Sequence, residues 1–241
     1  MLKYTPECLP YSFHIQDNDS HHQNIVIYWN GLNDKLFYGG QFYHKIIVVH
    51  RRNDVYLTSK IEREYLNSVQ KTFYNLDPNT MYMFTVYSVD TNENAKTNCS
   101  IYVNRKLLDR PSKIKVINDN PGEYSIMWKR PKGNSESKMR YTIFWCKQSP
   151  LESSRCSSDL GWNFTKNNYY HLKVDKSIGK IKIGVAATTS IISNKINGFD
   201  IMTSGIVWSE TDDKGVTTAN PKDYYSHETN ETKSKEKLKP N

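Results

Sequence analysis

The chain has 241 residues, which leaves room for one large domain or two of about 100. Only 11 Gly, 17 Tyr and few long apolar helical stripes argue for short alternating strands and against a helical protein. A formal net charge of +8, with the bases scattered and partly gathered toward the C-terminus, reads as solvated surface with weak attraction to acidic glycans or lipid headgroups, not as a nucleic-acid site.

In chain order, residues 1–10 read as a linker ending at Pro10. A first strand is expected over Tyr11–Gln16, and residues 17–22 form a polar turn. A second strand, Ile25–Trp29, points Ile25, Ile27 and Trp29 one way, and the indole suits a sandwich core. Loop follows over Asn30–Gly40, rich in Gly, Asn and Asp. Phe42–His50 and Val55–Ser59 are the third and fourth strands, Asn67–Leu76 the fifth, Met81–Val89 the sixth and Cys99–Val103 the seventh.

The sixth strand organises the rest. Leu76-Asp77-Pro78-Asn79-Thr80 turns onto it, with Pro78 at a corner where no ladder hydrogen bond is needed. Tyr82, Phe84 and Val86 alternate inward. Tyr82 stands where a β-sandwich keeps its tyrosine corner, the phenol bonded back to upstream backbone. Seven such strands make a sandwich over residues 11–108.

Arg110-Pro111-Ser112 opens a second unit, residues 109–213, with strands at Lys113–Ile117 and Tyr124–Trp128. The two units align by arithmetic. Trp128 lies 99 residues after Trp29, Ile181 lies 53 after Trp128 as Tyr82 does after Trp29, and Phe42 and Tyr141 each lie 13 after their tryptophan. Strand Lys180–Ala186 alternates Ile181, Ile183 and Val185 inward. Ile181 takes the tyrosine's place, so packing at this second corner is expected to be purely apolar. Trp29, Trp128 and Tyr82 are the expected core anchors of two sandwiches joined end to end near position 110. Residues 214–241 are polar with almost no aliphatics, and a disordered tail is expected there.

No Gly-rich phosphate loop, Gly-x-Ser-x-Gly elbow or His-Glu-x-x-His motif appears, and the carboxylates form no paired constellation. No catalytic residue is assigned, the chain is read as a non-enzyme, and no cofactor or small-molecule substrate is expected. His21 and His22 are adjacent, so on an extended turn they point apart; a solvated loop is expected there rather than a metal site. N-glycosylation sequons begin at Asn18, Asn98, Asn163 and Asn230. No stretch is apolar for the 18 residues a membrane helix needs, and Met1–Cys8 has no apolar leader core. With the sequons, this suggests an N-terminally incomplete piece of a secreted or membrane-anchored ectodomain. Cys8 precedes strand one and Cys99 opens strand seven. Those ends share a pole of the sandwich, so a Cys8–Cys99 bridge is feasible; pairing of Cys8 with an upstream domain is the alternative.

Trp29 and Trp128 on second strands, with Leu76-x-Pro78-x-Thr80-x-Tyr82 before a sixth, resemble tandem fibronectin type III modules. Tyr141-Thr142-Ile143-Phe144-Trp145-Cys146, followed by Cys156-Ser157-Ser158-Asp159-Leu160-Gly161-Trp162, is similar to a membrane-proximal module of the signal-transducing receptor shared by the interleukin-6 cytokines. In that family Trp-Cys ends the third strand and Cys-x-x-Asp-Trp follows; here Leu160-Gly161 is extra. Ser204-Gly205-Ile206-Val207-Trp208-Ser209 carries half of a Trp-Ser-x-Trp-Ser box. Among invertebrates the resemblance is to Domeless-like class I cytokine receptors of the JAK/STAT pathway.

That resemblance implies a Cys146–Cys156 bridge, closing a loop of about 11 residues worth roughly 2.5–3 kcal/mol. It implies lysines 180 and 182 on the outer face near Trp208, in cation–π contact worth about 0.5–1 kcal/mol. It further implies an extracellular or plasma-membrane location and a protein partner, either a receptor subunit or a secreted cytokine. The intact parent would dimerise, and these modules would act as membrane-proximal spacers or as a soluble non-signalling form. No ligand-contact residue is assigned. The alternative is a cell-adhesion or guidance ectodomain spacer, and a third is modules appended to an enzyme such as a phosphatase.

Overall fold

The computed structural model describes residues 6–18, 21–30, 43–52, 55–65, 68–90, 95–131, 139–189 and 202–209. Most of the expected Asn30–Gly40 loop, Phe42, and the expected tail with Asn230 lie outside these residues.

Period-two alternation dictates the first sandwich. β1 (Phe13–Asn18), β2 (Gln23–Tyr28) and β5 (Gln70–Leu76) form a three-stranded sheet in the order β1-β2-β5. β3 (Tyr43–Arg52), β4 (Val55–Tyr65), β6 (Met81–Val89) and β7 (Ala95–Val103) form a four-stranded sheet in the order β4-β3-β6-β7. Every pairing is antiparallel. Between the layers lie Phe13, Ile25, Ile27, Trp29, Ile46, Phe73, Phe84, Val86 and Ile101, all at most 1% exposed. The sixth strand has the expected bounds. β4 runs six residues past Ser59, and β7 begins four before Cys99. The cysteine is therefore mid-strand, and its sulfur is bonded to that of Cys8. The Cys8 segment is not a free linker: Pro6 is buried, Cys8 and Leu9 pack against the core, and Pro10 O accepts from Tyr102 N–H at 2.8 Å. Glu7 bridges Asn30 beside β2 and Pro10 bonds Tyr102 on β7, so this segment touches both sheets before β1 begins.

The second sandwich repeats this plan. β8 (Ser112–Asn120), β9 (Glu123–Lys129) and β12 (Tyr169–Lys173) form one sheet in the order β8-β9-β12. β10 (Met139–Lys147), β11 (Gly161–Thr165) and β13 (Ile181–Thr189) form the other in the order β11-β10-β13. Its last strand is split into β14 (Met202–Thr203) and β15 (Val207–Trp208), both paired with β13. Ile126, Trp128, Tyr141, Ile143, Ile183 and Val185 fill this core.

The repeat is real, but one step of the arithmetic shifts. Ser88 pairs with His44, and the equivalent Ala187, 99 residues on, pairs with Tyr141. Tyr141 therefore matches His44, not Phe42. The shift is two residues, which keeps the side chain on the same face. The packing agrees: Trp29 meets His44 edge-on at 5.6 Å between ring centroids, and Trp128 meets Tyr141 edge-on at 5.2 Å.

The two corners differ more than expected. At the first, Asp77 N–H donates to the Tyr82 hydroxyl at 3.0 Å, a tyrosine corner. At the second, a single 3-10 turn over Lys176–Ile178 replaces it, capped by Asp175, whose Oδ1 accepts from Ser177 N–H at 2.9 Å. The second corner is therefore not purely apolar: Ile181 is buried, but a carboxylate cap holds the turn above it.

Candidate functional site: the contact between the sandwiches

One middle strand in each unit, β2 in the first and β10 in the second, is buried on both faces. In β2 and the residue after it, Ile25, Val26, Ile27, Tyr28 and Trp29 are all at most 5% exposed. In β10, Thr142, Phe144 and Cys146 are as buried as the core-facing Tyr141 and Ile143. A strand buried on both faces needs cover on both. The second cover is the other sandwich. Tyr11, Val26 and Tyr28 on the first unit, and Phe144, Cys146, Cys156, Leu160, Ala186 and Ile206 on the second, share one buried cluster. The expected end-to-end joint is thus corrected. The outer face of the β1-β2-β5 sheet leans on the outer face of β10-β13, because both present side chains that water cannot solvate.

Polar groups fix the register of this contact. Ile206 N–H donates to Phe13 O at 2.6 Å, backbone to backbone. His14 Nδ1 donates to Ile206 O at 2.9 Å, which places the ring proton on that nitrogen. Tyr11 and Thr142 join their hydroxyls at 3.0 Å. Cys156 N–H donates to Gln70 Oε1 at 2.9 Å, and Leu160 N–H to Asn30 Oδ1 at 2.7 Å. The extra Leu160 therefore has a place: it is 3% exposed and seals the contact.

The break between β14 and β15 makes the close approach possible. Gly205 has φ +66, and a Cβ there would sit 2.6 Å from a Phe13 ring carbon and 3.0 Å from Phe13 O. Only glycine allows both that backbone and that distance.

Trp208 is the hinge-pin. Its Nε1–H donates to Tyr28 OH at 3.0 Å, and the two rings meet edge-on at 5.4 Å. Lys182 Nζ lies 4.5 Å from the same indole and also donates to Ser154 O. Of the two lysines expected here, Lys182 makes the cation–π contact; Lys180 is exposed. Burial pulls the Lys182 ammonium down to about 8, with Glu152 opposing. Burial likewise raises the Tyr28 hydroxyl, against the Trp208 hydrogen bond, and raises Tyr11 against its bond to Thr142.

Cys146 and Cys156 are bonded through their sulfurs. Their loop presents Ser154 O to Lys182 and Cys156 N–H to Gln70, so it forms part of the clamp. Its tip, Leu151, is 96% exposed. Beyond the contact the two faces diverge into a cleft of about 270 Å³. Within it Lys71 bonds Glu64, and Arg155 lies 3.7 Å from Glu152.

Other expected residues lie elsewhere. His21 and His22 are exposed, with ring centroids 6.5 Å apart. Asn98 is exposed on β7, and Asn163 is exposed on β11, its Nδ2 donating to Tyr170 OH at 2.6 Å. Asn18 ends β1. Among the described residues, no three His, Cys, Asp or Glu come together as a metal site.

No family model matches the chain, and no curated protein matches it. Among solved structures it is similar to a two-domain fibronectin type III segment of chicken tenascin, at 10% identity and a TM-score of 0.31, covering 86% of this chain and 98% of that one. It is also similar to the FN1–FN3 domains of chicken CNTN1, at 13% identity and a TM-score of 0.28, covering 85% and 67%. Independently of these likenesses, the strand orders β1-β2-β5 with β4-β3-β6-β7, and β8-β9-β12 with β11-β10-β13, give the fibronectin type III arrangement twice.

Proposed function

We propose that the chain is a non-catalytic extracellular unit of a class I cytokine receptor of the JAK/STAT type, in which two fibronectin modules act as one bent strut near the membrane. One observation carries the reading: the sandwiches are clamped face to face through Trp208, Tyr28, Gly205 and the Cys146–Cys156 loop. A spacer that sets the separation of two membrane entry points must resist bending, and a joint made of packed faces resists it where a bare linker does not. Two disulfides support an oxidising compartment. The Trp145-Cys146 and Cys156 to Trp162 pattern supports the receptor family. The sequons at Asn18, Asn98 and Asn163 fit the same compartment, and we assign all three as glycan sites, with Asn230.

The partner on this reading is a receptor subunit or a secreted cytokine. Expressed alone and secreted, the chain titrates ligand and does not signal. A STAT reporter in cells expressing only this chain tests the proposal: no ligand-dependent activation is expected, and full-length receptor signalling should fall when the chain is added. Activation by this chain alone would overturn the reading, and aggregation of beads coated with it would favour an adhesion role instead.

A further inference from the structure

The first sandwich has a second outer face, on its four-stranded sheet. Ile46, Val48, Phe84 and Val86 point into the core at no more than 1% exposure, so the residues that alternate with them point out. One outward row runs Asn98, Tyr87, Lys45, Arg63, and the next runs Ser100, Thr85, Ile47, Ile61. Tyr87 and Ile47 are half-buried and Ile61 is 55% exposed. Arg63 is engaged over the Tyr43 ring at 5.0 Å. The strip therefore offers a ring and C–H surface, and a face of this kind ordinarily has a cover.

The point of attachment for a cover stands in the strip itself. Asn98-Cys99-Ser100 is the sequon on β7, the edge strand of this sheet. Cys99 pairs with the core residue Val86 and is bonded to Cys8, which leaves Asn98 and Ser100 on the outer face. Asn98 is exposed, and the Ser100 hydroxyl lies 3.1 Å from that of Thr85. Tyr87 stands directly across from Asn98, about 5 Å away on the neighbouring strand.

We propose that the glycan on Asn98 lies inward across this sheet, with its first N-acetylglucosamine on the Tyr87 ring and later sugars over Ile47 toward Ile61. The inference rests on Asn98 being a glycan site and not on the receptor reading. A sugar ring has a face of C–H bonds and a rim of hydroxyls, so it covers apolar side chains while its polar groups stay in water. The core of such a glycan is neutral and needs no charge on the sheet. Ile61 is three strands, roughly 14 Å, from Asn98, a span for an oligosaccharide and not for a single sugar. The glycan closes this face to protein docking and shields the β7 edge from strand addition, so a partner must meet the chain elsewhere.

The test uses the full chain secreted from animal cells, with Asn18→Gln, Asn163→Gln and Asn230→Gln so that one sequon remains, and with isotope-labelled N-acetylglucosamine. Mass spectrometry reads occupancy at Asn98, and NMR reads contacts between sugar C–H protons and the sheet. Expected are an occupied Asn98, Overhauser contacts to the Tyr87 ring and the Ile47 methyls, and slow cutting of the core by an endoglycosidase. Tyr87→Ser should speed that cutting about 3-fold or more, the scale of one ring contact. Ile61→Ser, at an exposed position that leaves folding intact, should lose the outer-sugar contacts and keep those at residue 87. A bare Asn98 removes the glycan assignment, and the proposal with it. An occupied Asn98 whose sugars touch nothing on the sheet leaves the assignment standing and overturns the proposal. Self-association of the glycosylated chain through this face would make a second copy the cover and overturn it as well.

Discussion

Gly205→Ala isolates the contact between the sandwiches. The substitution forces a left-handed backbone at φ +66 onto a residue with a side chain, which costs roughly 1–2 kcal/mol. It also drives a methyl to 2.6 Å from the Phe13 ring and 3.0 Å from Phe13 O. Phe13 is fully buried and cannot step aside, so the units separate and the Ile206 N–H to Phe13 O bond opens. Losing a buried backbone bond adds about 1–3 kcal/mol, for a combined loss of about 2–5 kcal/mol. Gly179→Ala is the control: its φ +79, ψ −145 backbone is almost reserved for glycine and costs about 1–3 kcal/mol, but a Cβ there meets nothing within 4 Å and lies away from the contact. Urea unfolding with hydrogen exchange at the Ile206 amide reads both effects. Gly205→Ala should expose that amide, whereas Gly179→Ala should leave it protected. An Ile206 amide still protected in Gly205→Ala would refute the close approach.

Three further outcomes follow from the same contact. Tyr28→Phe removes the acceptor of the Trp208 indole and should cost about 1–3 kcal/mol in chemical denaturation; a neutral result would mean that the bond adds nothing. Cys146→Ser with Cys156→Ser frees a short loop and should cost roughly 2.5–3 kcal/mol, with loss of protection at the Cys156 position itself, whose amide bonds Gln70; unchanged protection there would detach the loop from the clamp. The pH response belongs to Lys182. Its folded value is depressed to about 8 by burial, so the unfolded chain binds more protons between about pH 8 and 10.5, and stability contributed by this site rises with pH across that window. The thermal midpoint of the parent should therefore gain on Lys182→Met between pH 7.5 and 10, and a constant difference would contradict the depressed value.

How much the residues alone disclose follows from which contacts are local. Tyr82 and its turn lie within six residues, so hydrogen bond and alternation both read directly from sequence. The Trp29–Trp128 repeat is legible because a buried indole leaves few positions free, yet its third strand is misplaced by two residues, since loop length carries no periodic signal. The second corner misleads because a 3-10 turn with an Asp175 cap does in three residues what a tyrosine does from a distance. The inter-sandwich contact was written in plain sight, as unbroken apolar runs at Ile25–Trp29 and Ile143–Cys146. A half-solvated strand alternates, and these do not. The partner that covers them is set by pairings nearly 200 residues apart, such as His14 with Ile206, which no local pattern reveals.

The claim that matters most is that the two fibronectin-type sandwiches move as one body. Residual dipolar couplings measured on the full chain test it directly, because each sandwich reports its own orientation. A single alignment tensor that fits residues of β1–β7 and β8–β15 together is the predicted result. Two tensors of different magnitude or axis would mean that the faces part in solution, and would contradict it.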